Sequence, residues 1–404
     1  MSLIPIKPTI EFQPSGLNVE LIHKQLIWQG IHVCTESIGI ITGKEYLCDL
    51  PVNQAKITPF YYEKNQQKFT NPEAEKYRWF TESLVNIIKK PIPDFIEINI
   101  EKLKQYDDVV IVMALDNLYG HSLNWLLSAQ SLLDDHEERG IIVIIQPFLR
   151  WLVPEGVSEI WTVKLPMSCA SNYYPSLDQQ IKEEIKRFNK VWLFGNMPQP
   201  RHIDIERFTR VKPYAFDSLT PRITFIWRED VNRLWVKNWY VYGFAKIFRI
   251  QKLFLPLHYL RTLYFFYSLR RKCKNLPLRY TLTGLGRWGR FPIFIEDQRV
   301  LAFNDKVERE VCEIYAESHL VVGIHGSSMI LPSAHAGMTV SLMPHKRWGN
   351  FAQDLLMNEN DDMMAIFQKR ILPIRICIDE ITDICYQMLT FRDGFITRFI
   401  NKGH

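Results

Sequence analysis

The run Val109-Val110-Ile111-Val112-Met113-Ala114-Leu115 contains no polar residue, and it constrains the fold more than any other segment. A strand with one face in water alternates apolar and polar side chains. A strand covered on both faces is apolar throughout, as in the middle of a parallel sheet. The residues after Leu115 fit that setting. A polar turn, Asp116 to Gly120, leads to Leu123, Leu126, Leu127 and Ser131 at helical spacing, and then to a β-branched run, Ile141 to Ile145. Strand, turn, helix and strand make one βαβ unit. The order continues with an expected strand at Glu159 to Leu165, a helix from about Ser176 to Phe188 with Ser176 as N-cap, and a strand at Val191 to Gly195. Before this series, residues 1 to 75 alternate short apolar runs with Pro, Asn and Gln. They predict irregular strands and turns leading into a helix near Glu73 to Lys89.

A second series begins at the strand Arg222-Ile223-Thr224-Phe225-Ile226-Trp227 and ends in Arg228-Glu229-Asp230. Residues 231 to 290 then read as a long basic and aromatic insertion. Regular order resumes with a strand at Phe291 to Ile295, a helix at Asp305 to Glu317, a strand at His319 to Gly323, a helix from Met329 and a strand at Thr339 to Met343. A chain of 404 residues exceeds what one core comfortably serves. The expected fold class is therefore α/β, with two Rossmann-like lobes and a cleft between them. The expected lobes are 1–215 and 216–375, with closing helices at 376–404.

Hydrophobic residues at 47% and charged residues at 23% exclude a disordered or collagen-like chain. Seven scattered cysteines, never spaced CxxC, argue against a zinc ribbon or a disulfide framework and for a reducing compartment. The first residues lack a basic stretch followed by an apolar run, so no signal peptide is expected and a cytoplasmic location is. The apolar stretch Ile250 to Leu269 is broken by Lys252, Pro256, His258 and Arg261, whereas a spanning helix needs about 20 residues nearly free of charge.

In a parallel α/β sheet, ligands bind beyond the carboxyl ends of the strands, where backbone N–H groups point outward. Three turns are therefore singled out. His325-Gly326-Ser327-Ser328 follows one strand and opens a helix: glycine admits close backbone approach, the hydroxyls suit anionic oxygens, and His325 can donate to a phosphate. Trp227-Arg228 places a guanidinium, which can hold a diphosphate with two hydrogen bonds, at the same sheet edge. Past the next strand, the segment from Pro344 to Asn350 offers Arg347 and Asn350. In the first lobe, Asp116 and His121 supply a carboxylate and an imidazole, and either could deprotonate an acceptor hydroxyl. Each of these turns also has a structural reading, as a helix cap, a core histidine or a solvated loop. No P-loop, GxGxxG or HExxH motif occurs, and Asp204-Ile205-Glu206 has only the outline of a DxD motif, so no metal and no cofactor is expected.

Three segments resemble glycosyltransferase family 61. Asn117-Leu118-Tyr119-Gly120-His121-Ser122-Leu123-Asn124-Trp125-Leu126-Leu127 is similar to the family's N-Y-G-H-W-L-L-D segment, and Ile223 to Arg228 is similar to its L-F-I-S-R strand. Val307 to Ser328, a helix followed by the strand and turn ending His325-Gly326-Ser327-Ser328, is similar to its A-D-V-L-V-G-P-H-G-A-G-L segment. Order and spacing agree across residues 105 to 345. The resemblance implies a GT-B fold and a metal-independent, inverting transfer of a sugar from a nucleotide-sugar donor to a glycan, lipid-linked glycan or protein hydroxyl. The leaving diphosphate would be held by Arg228, by Ser327 and Ser328, and by Arg347.

No Asp or Glu occurs from Val231 to Ile295, and there Lys and Arg interleave with Trp, Tyr and Phe. From Val231 to Lys274 this pattern suits an anionic membrane surface, which would place the chain at the inner face of the membrane. The alternative is that the aromatics are core and the cations reach outward from it. Nucleic acid is a third partner with this signature, but no nucleic-acid motif accompanies it and the net charge is only +5, so none is expected. A catalytically silent glycan-binding relative is the remaining alternative.

Overall fold

The computed structural model describes residues 2–12, 19–50, 52, 60–71, 74–195, 203–229, 234–236, 243–244, 247–248, 250–350 and 368–399. The chain divides into two units, Met1–Pro200 and Arg201–His404. Both are α/β, with parallel sheets and helices.

The first unit starts with strand β1 (Ser2–Lys7), then β2 (Leu21–Trp28), β3 (Val33–Gly39), β4 (Glu45–Asp49), β5 (Tyr61–Glu63), β6 (Lys68–Phe69) and helix α1 (Arg78–Lys89). Next come β7 (Ile98–Lys102), β8 (Asp108–Met113), α2 (Tyr119–Asp135), β9 (Gly140–Ile145), β10 (Glu159–Val163), α3 (Pro175–Ile185) and β11 (Lys190–Gly195). Strands β2 to β6 form an antiparallel five-stranded sheet in sequence order, so the segment that reads as irregular is a regular meander. The main sheet has the order β1-β11-β8-β9-β10-β7, with β11, β8, β9 and β10 parallel and both edge strands antiparallel. Val109 to Met113 and Ile141 to Ile145 are buried, as unbroken apolar runs require. Ser176 does not cap α3. Its hydroxyl donates to the Asp94 carbonyl at 2.9 Å and accepts from Ile96 N–H at 3.1 Å, while Tyr174 stands at the N-cap.

Buried polar groups tie the meander to α1. His32 Nδ1 lies 2.9 Å from Asp49 Oδ1, and its Nε2 lies 2.8 Å from Ser83 Oγ. The set has the composition of a hydrolytic triad, but the Ser83 hydroxyl donates to the Phe80 carbonyl and all three side chains are buried, so it serves the fold.

The second unit runs α4 (Ile205–Thr209), β12 (Arg222–Arg228), α5 (Leu255–Lys272), β13 (Arg279–Leu285), β14 (Ile295–Val300), α6 (Asp305–Ala316), β15 (Ser318–Ile324), α7 (Ile330–His335), β16 (Met338–Met343), β17 (Lys369–Pro373) and α8 (Ile378–Phe399). Its described residues form a six-stranded, all-parallel sheet in the order β14-β13-β12-β15-β16-β17. Counted from the first strand this is 3-2-1-4-5-6, the doubly wound order of dinucleotide-binding folds.

Four sequence expectations change here. The boundary lies at 200/201 and not at 215, because Thr209 Oγ1 meets His335 Nε2 at 3.0 Å and Tyr214 meets His319 Nδ1 at 3.0 Å inside the second unit. The stretch 231–290 is not an insertion from end to end: α5 is the crossover helix, and β13 is a central strand whose Leu282 is fully buried. The strand expected at Phe291 to Ile295 begins only at Ile295. Among the described residues the closing segment holds one helix, α8, packed against α5. Asp204, in the DxD-like triplet, caps α4 by accepting from Arg207 N–H at 2.9 Å.

Candidate functional site

In a doubly wound sheet the crevice forms where neighbouring strands send their connections to opposite faces. In the second unit that point lies between β12 and β15. Their pairing ends at Phe225↔Val322, whereas β12 stays paired with β13 through Arg228↔Leu285 and β15 with β16 through Ile324↔Leu342. The two strands thus part before their carboxyl ends, leaving Arg228 on one lip and His325 on the other. Five of the residues singled out in the sequence converge on this edge.

The turn after β15 is shaped by two glycines. Gly326 has φ +146° and ψ −170°, a region that residues with a Cβ essentially do not occupy. At Gly323 a Cβ would come within 2.5 Å of Met329 Sδ and 3.3 Å of Ile226 Cβ, so its absence lets the turn close onto β12. A short 3₁₀ turn, Ser327–Met329, runs on into α7. Ser327 and Ser328 are partly exposed, and among the described residues neither hydroxyl has a hydrogen-bond partner. His325 is buried. Its N–H donates to the Leu342 carbonyl at 3.0 Å, and Nε2 lies 3.1 Å from the Asn350 carbonyl oxygen, so the turn after β15 and the segment after β16 are joined. Arg347 is partly exposed in that segment, and Asn350 is exposed.

Trp227 and Arg228 differ. Trp227 is fully buried: its ring stacks on His258 with centroids 4.0 Å apart, and its Nε1 donates to Glu229 Oε1 at 2.9 Å. It therefore underlies the edge and presents no face to a ligand. Arg228, next along the strand, is partly exposed, and its charge acts on the Tyr315 hydroxyl. Burial pushes the His258 pKa down to about 3, reinforced by the Arg261 and Arg299 charges, so this ring is a neutral packing element.

Sequence reasoning missed the groups that fix the end of β12. Glu229 Oε1 also accepts from Trp288 N–H at 2.7 Å. Arg299 is buried, pairs with Asp297 at 2.7 Å, donates to the Trp288 and Gly289 carbonyls, and lies 5.1 Å from the Trp227 ring centroid. The available signal was the pair Gly284 and Gly286, with φ +111° and +110°, inside the stretch that reads as insertion. A Cβ at Gly286 would strike the Glu229 carboxyl at 2.2 Å.

The first unit has its own switch point, between β8 and β11, and Asp116 sits just past the end of β8. Asp116 is buried and its carboxylate is fully engaged: Oδ1 accepts from Leu118 N–H at 2.8 Å, and Oδ2 lies 3.1 Å from His121 Nδ1. Gln146 Nε2 donates to the Asp116 carbonyl at 2.9 Å. His121, in the first turn of α2, keeps 29% of its side chain exposed. Burial acts to lower its pKa, but the hydrogen bond and charge of Asp116 prevail and the imidazole is raised above its ordinary 6.5. A buried carboxylate on Nδ1 with Nε2 left for chemistry is how a general base is oriented.

No family model matches the sequence, and no curated protein matches it. Among solved structures the chain is similar to the spinosyn forosaminyltransferase SpnP, with 10% identity, a TM-score of 0.34, and coverage of 74% of this chain and 96% of that one. It is also similar to the Gap123 glycosylation-associated complex from Streptococcus agalactiae, with 10% identity, TM-score 0.29, and coverage of 96% and 80%. A third is the catalytic domain of starch synthase IV from Arabidopsis thaliana bound to ADP and acarbose, with 10% identity, TM-score 0.24, and coverage of 98% and 85%. It is the strand order, and not these values, that defines the fold of the second unit.

Proposed function

We propose that the chain is a glycosyltransferase of the GT-B type, with a nucleotide-sugar donor on the second unit. The observation that carries this reading is the 3-2-1-4-5-6 sheet whose strands part between Arg228 and the His325–Ser328 turn. That edge combines a guanidinium, two unengaged hydroxyls and a glycine-shaped backbone, which together match a diphosphate. The family 61 resemblance falls on the same residues.

In the proposed reaction an acceptor hydroxyl attacks the anomeric carbon as the bond from that carbon to the diphosphate oxygen breaks. The hydroxyl proton passes to a general base, and within the first unit His121 Nε2 is the group oriented for that role. The nucleoside diphosphate leaves with the bonding pair, its growing charge met by Arg228, by the Ser327 and Ser328 hydroxyls and by Arg347. Asp116 orients His121 and stabilises the imidazolium. Trp227 is a positioning residue that holds Arg228 at the lip, and Asn350 acts through its contact with His325. The acceptor is a glycan or lipid-linked glycan. No metal takes part in this scheme, so a chelator is expected to leave turnover unchanged.

Thermal melts with UDP, GDP and CMP test the donor site: one nucleotide is expected to raise the melting temperature. Arg228→Ala and Ser327→Ala are each expected to weaken donor binding or turnover roughly tenfold or more, since a charge-assisted hydrogen bond contributes about 1.5–3 kcal/mol. His325→Ala is expected to weaken it by removing the buried contact that joins the turn to the segment after β16. Near-wild-type kinetics in all three variants would rule the site out. Donor binding without hydrolysis or transfer would instead identify a silent sugar-binding relative.

A further inference from the structure

Helix α5 is apolar on two sides. One side packs inward through Leu255, Phe265, Phe266 and Leu269, which join the core of the second unit. The other carries Leu257, Leu260, Tyr264 and Tyr267, with Leu253 one turn before the helix, and these five are 48% to 70% exposed. Their spacing of four, three, four and three residues makes a single stripe along the helix. Just upstream, Phe244, Ile247, Phe248 and Ile250 are 44% to 76% exposed. The loop after β13 adds Trp288 and the fully exposed Ile293, and it is held beside α5 by ring contacts of Tyr259 with Trp288 at 5.6 Å and of Tyr267 with Phe294 at 5.2 Å. Scattered apolar residues are ordinary on a surface, but a continuous apolar stripe marks something that covers it.

The charge around the stripe identifies the cover. Lys252, Arg270, Arg271 and Lys274 are exposed, and the sequence has no acid from Val231 to Ile295. Among the described residues, α8 brings acids to this side, where Asp379 accepts from the Tyr264 hydroxyl at 3.3 Å and Asp383 pairs with Lys272. A second copy meeting this face about a two-fold axis would set cation against cation. An anionic bilayer would take the leucines and rings into the boundary between headgroups and chains, and the cations onto its headgroups. Among the described residues no helix is long and apolar enough to cross a membrane, so α5 would lie along the surface.

We propose that the outward stripe of α5, with the loop after β13, docks the protein on an anionic membrane. This stands independently of the catalytic reading. The full chain should float at low salt with vesicles of phosphatidylcholine and phosphatidylglycerol in equal parts, and not with phosphatidylcholine alone. Leu257→Gln/Leu260→Gln alters only exposed side chains, so its melting temperature should be unchanged while its vesicle binding falls tenfold or more. Arg271→Glu/Lys274→Glu should weaken binding without altering the fold. Three results would overturn the proposal: no flotation of the wild-type chain, equal binding to both vesicle types, or a solution dimer that the leucine variant dissociates, which would make the stripe a contact between copies.

Discussion

His121→Ala is expected to lower turnover by about 10²- to 10⁴-fold with donor affinity nearly unchanged, the range for loss of a positioned general base. The side chain is partly exposed at the start of α2, so the fold should survive its removal. Asp116→Asn should lower turnover as well, and it carries a second signature. Asp116 is what holds the imidazole above 6.5 against burial, which acts in the opposite direction. In the proposed mechanism the neutral ring is the base, so the acidic limb of kcat/KM should lie above pH 6.5 in the wild type and move to lower pH in Asp116→Asn. The same shift makes the pair a stabilising interaction that is complete below the unfolded histidine pKa and lost as pH rises through the raised folded value. Full turnover in both variants, measured from pH 5 to 9, would place the base elsewhere.

Gly284→Ala is expected to cost the largest stability of any single-methyl change in the second unit. An added Cβ would lie 2.1 Å from the Trp227 carbonyl oxygen, and φ is +111°. Backbone strain of about 1–2 kcal/mol and overpacking of about 1–3 kcal/mol sum to about 2–5 kcal/mol. In a unit of this size each kcal/mol lowers the melting temperature by roughly 2–4 °C. Because β13 pairs with β12 through Gly284↔Trp227, donor binding should weaken along with the melt. Gly43→Ala is the control, since φ there is +62° but nothing lies within 4 Å. Equal melting temperatures for the two variants would show that β12 yields to the added methyl.

Much of the candidate site was legible in the sequence because strand ends are. The unbroken apolar run Val109–Leu115 and the mostly apolar run Ile223–Trp227 mark central strands, and the polar residues right after them must fall at the sheet edge. Asp116, Arg228 and His325 were placed at strand ends this way. The same logic failed at Trp227, because a strand's last side chain can point into the core as easily as out of it, and only packing against His258 and Arg299 decides which.

β13 escaped notice for a related reason. Its residues Arg279-Tyr280-Thr281-Leu282-Thr283-Gly284-Leu285 mix polar with apolar, yet Thr281 and Thr283 are fully buried, and Thr281 Oγ1 meets Glu296 at 3.3 Å. A hydroxyl satisfied inside a structure looks, in sequence, like one facing water.

What the sequence determined alone was the local order of strands and helices, because hydrophobic period and turn chemistry act over a few residues. It also determined which turns could carry chemistry. The tertiary structure decided which strands are neighbours, hence the 3-2-1-4-5-6 order and the parting of β12 from β15. It decided that Asp116 is buried against a partly exposed His121, and that α5 buries one apolar side and exposes the other. These outcomes depend on contacts between residues far apart in the chain, where the energy lies in burial and in hydrogen bonds that no local window contains.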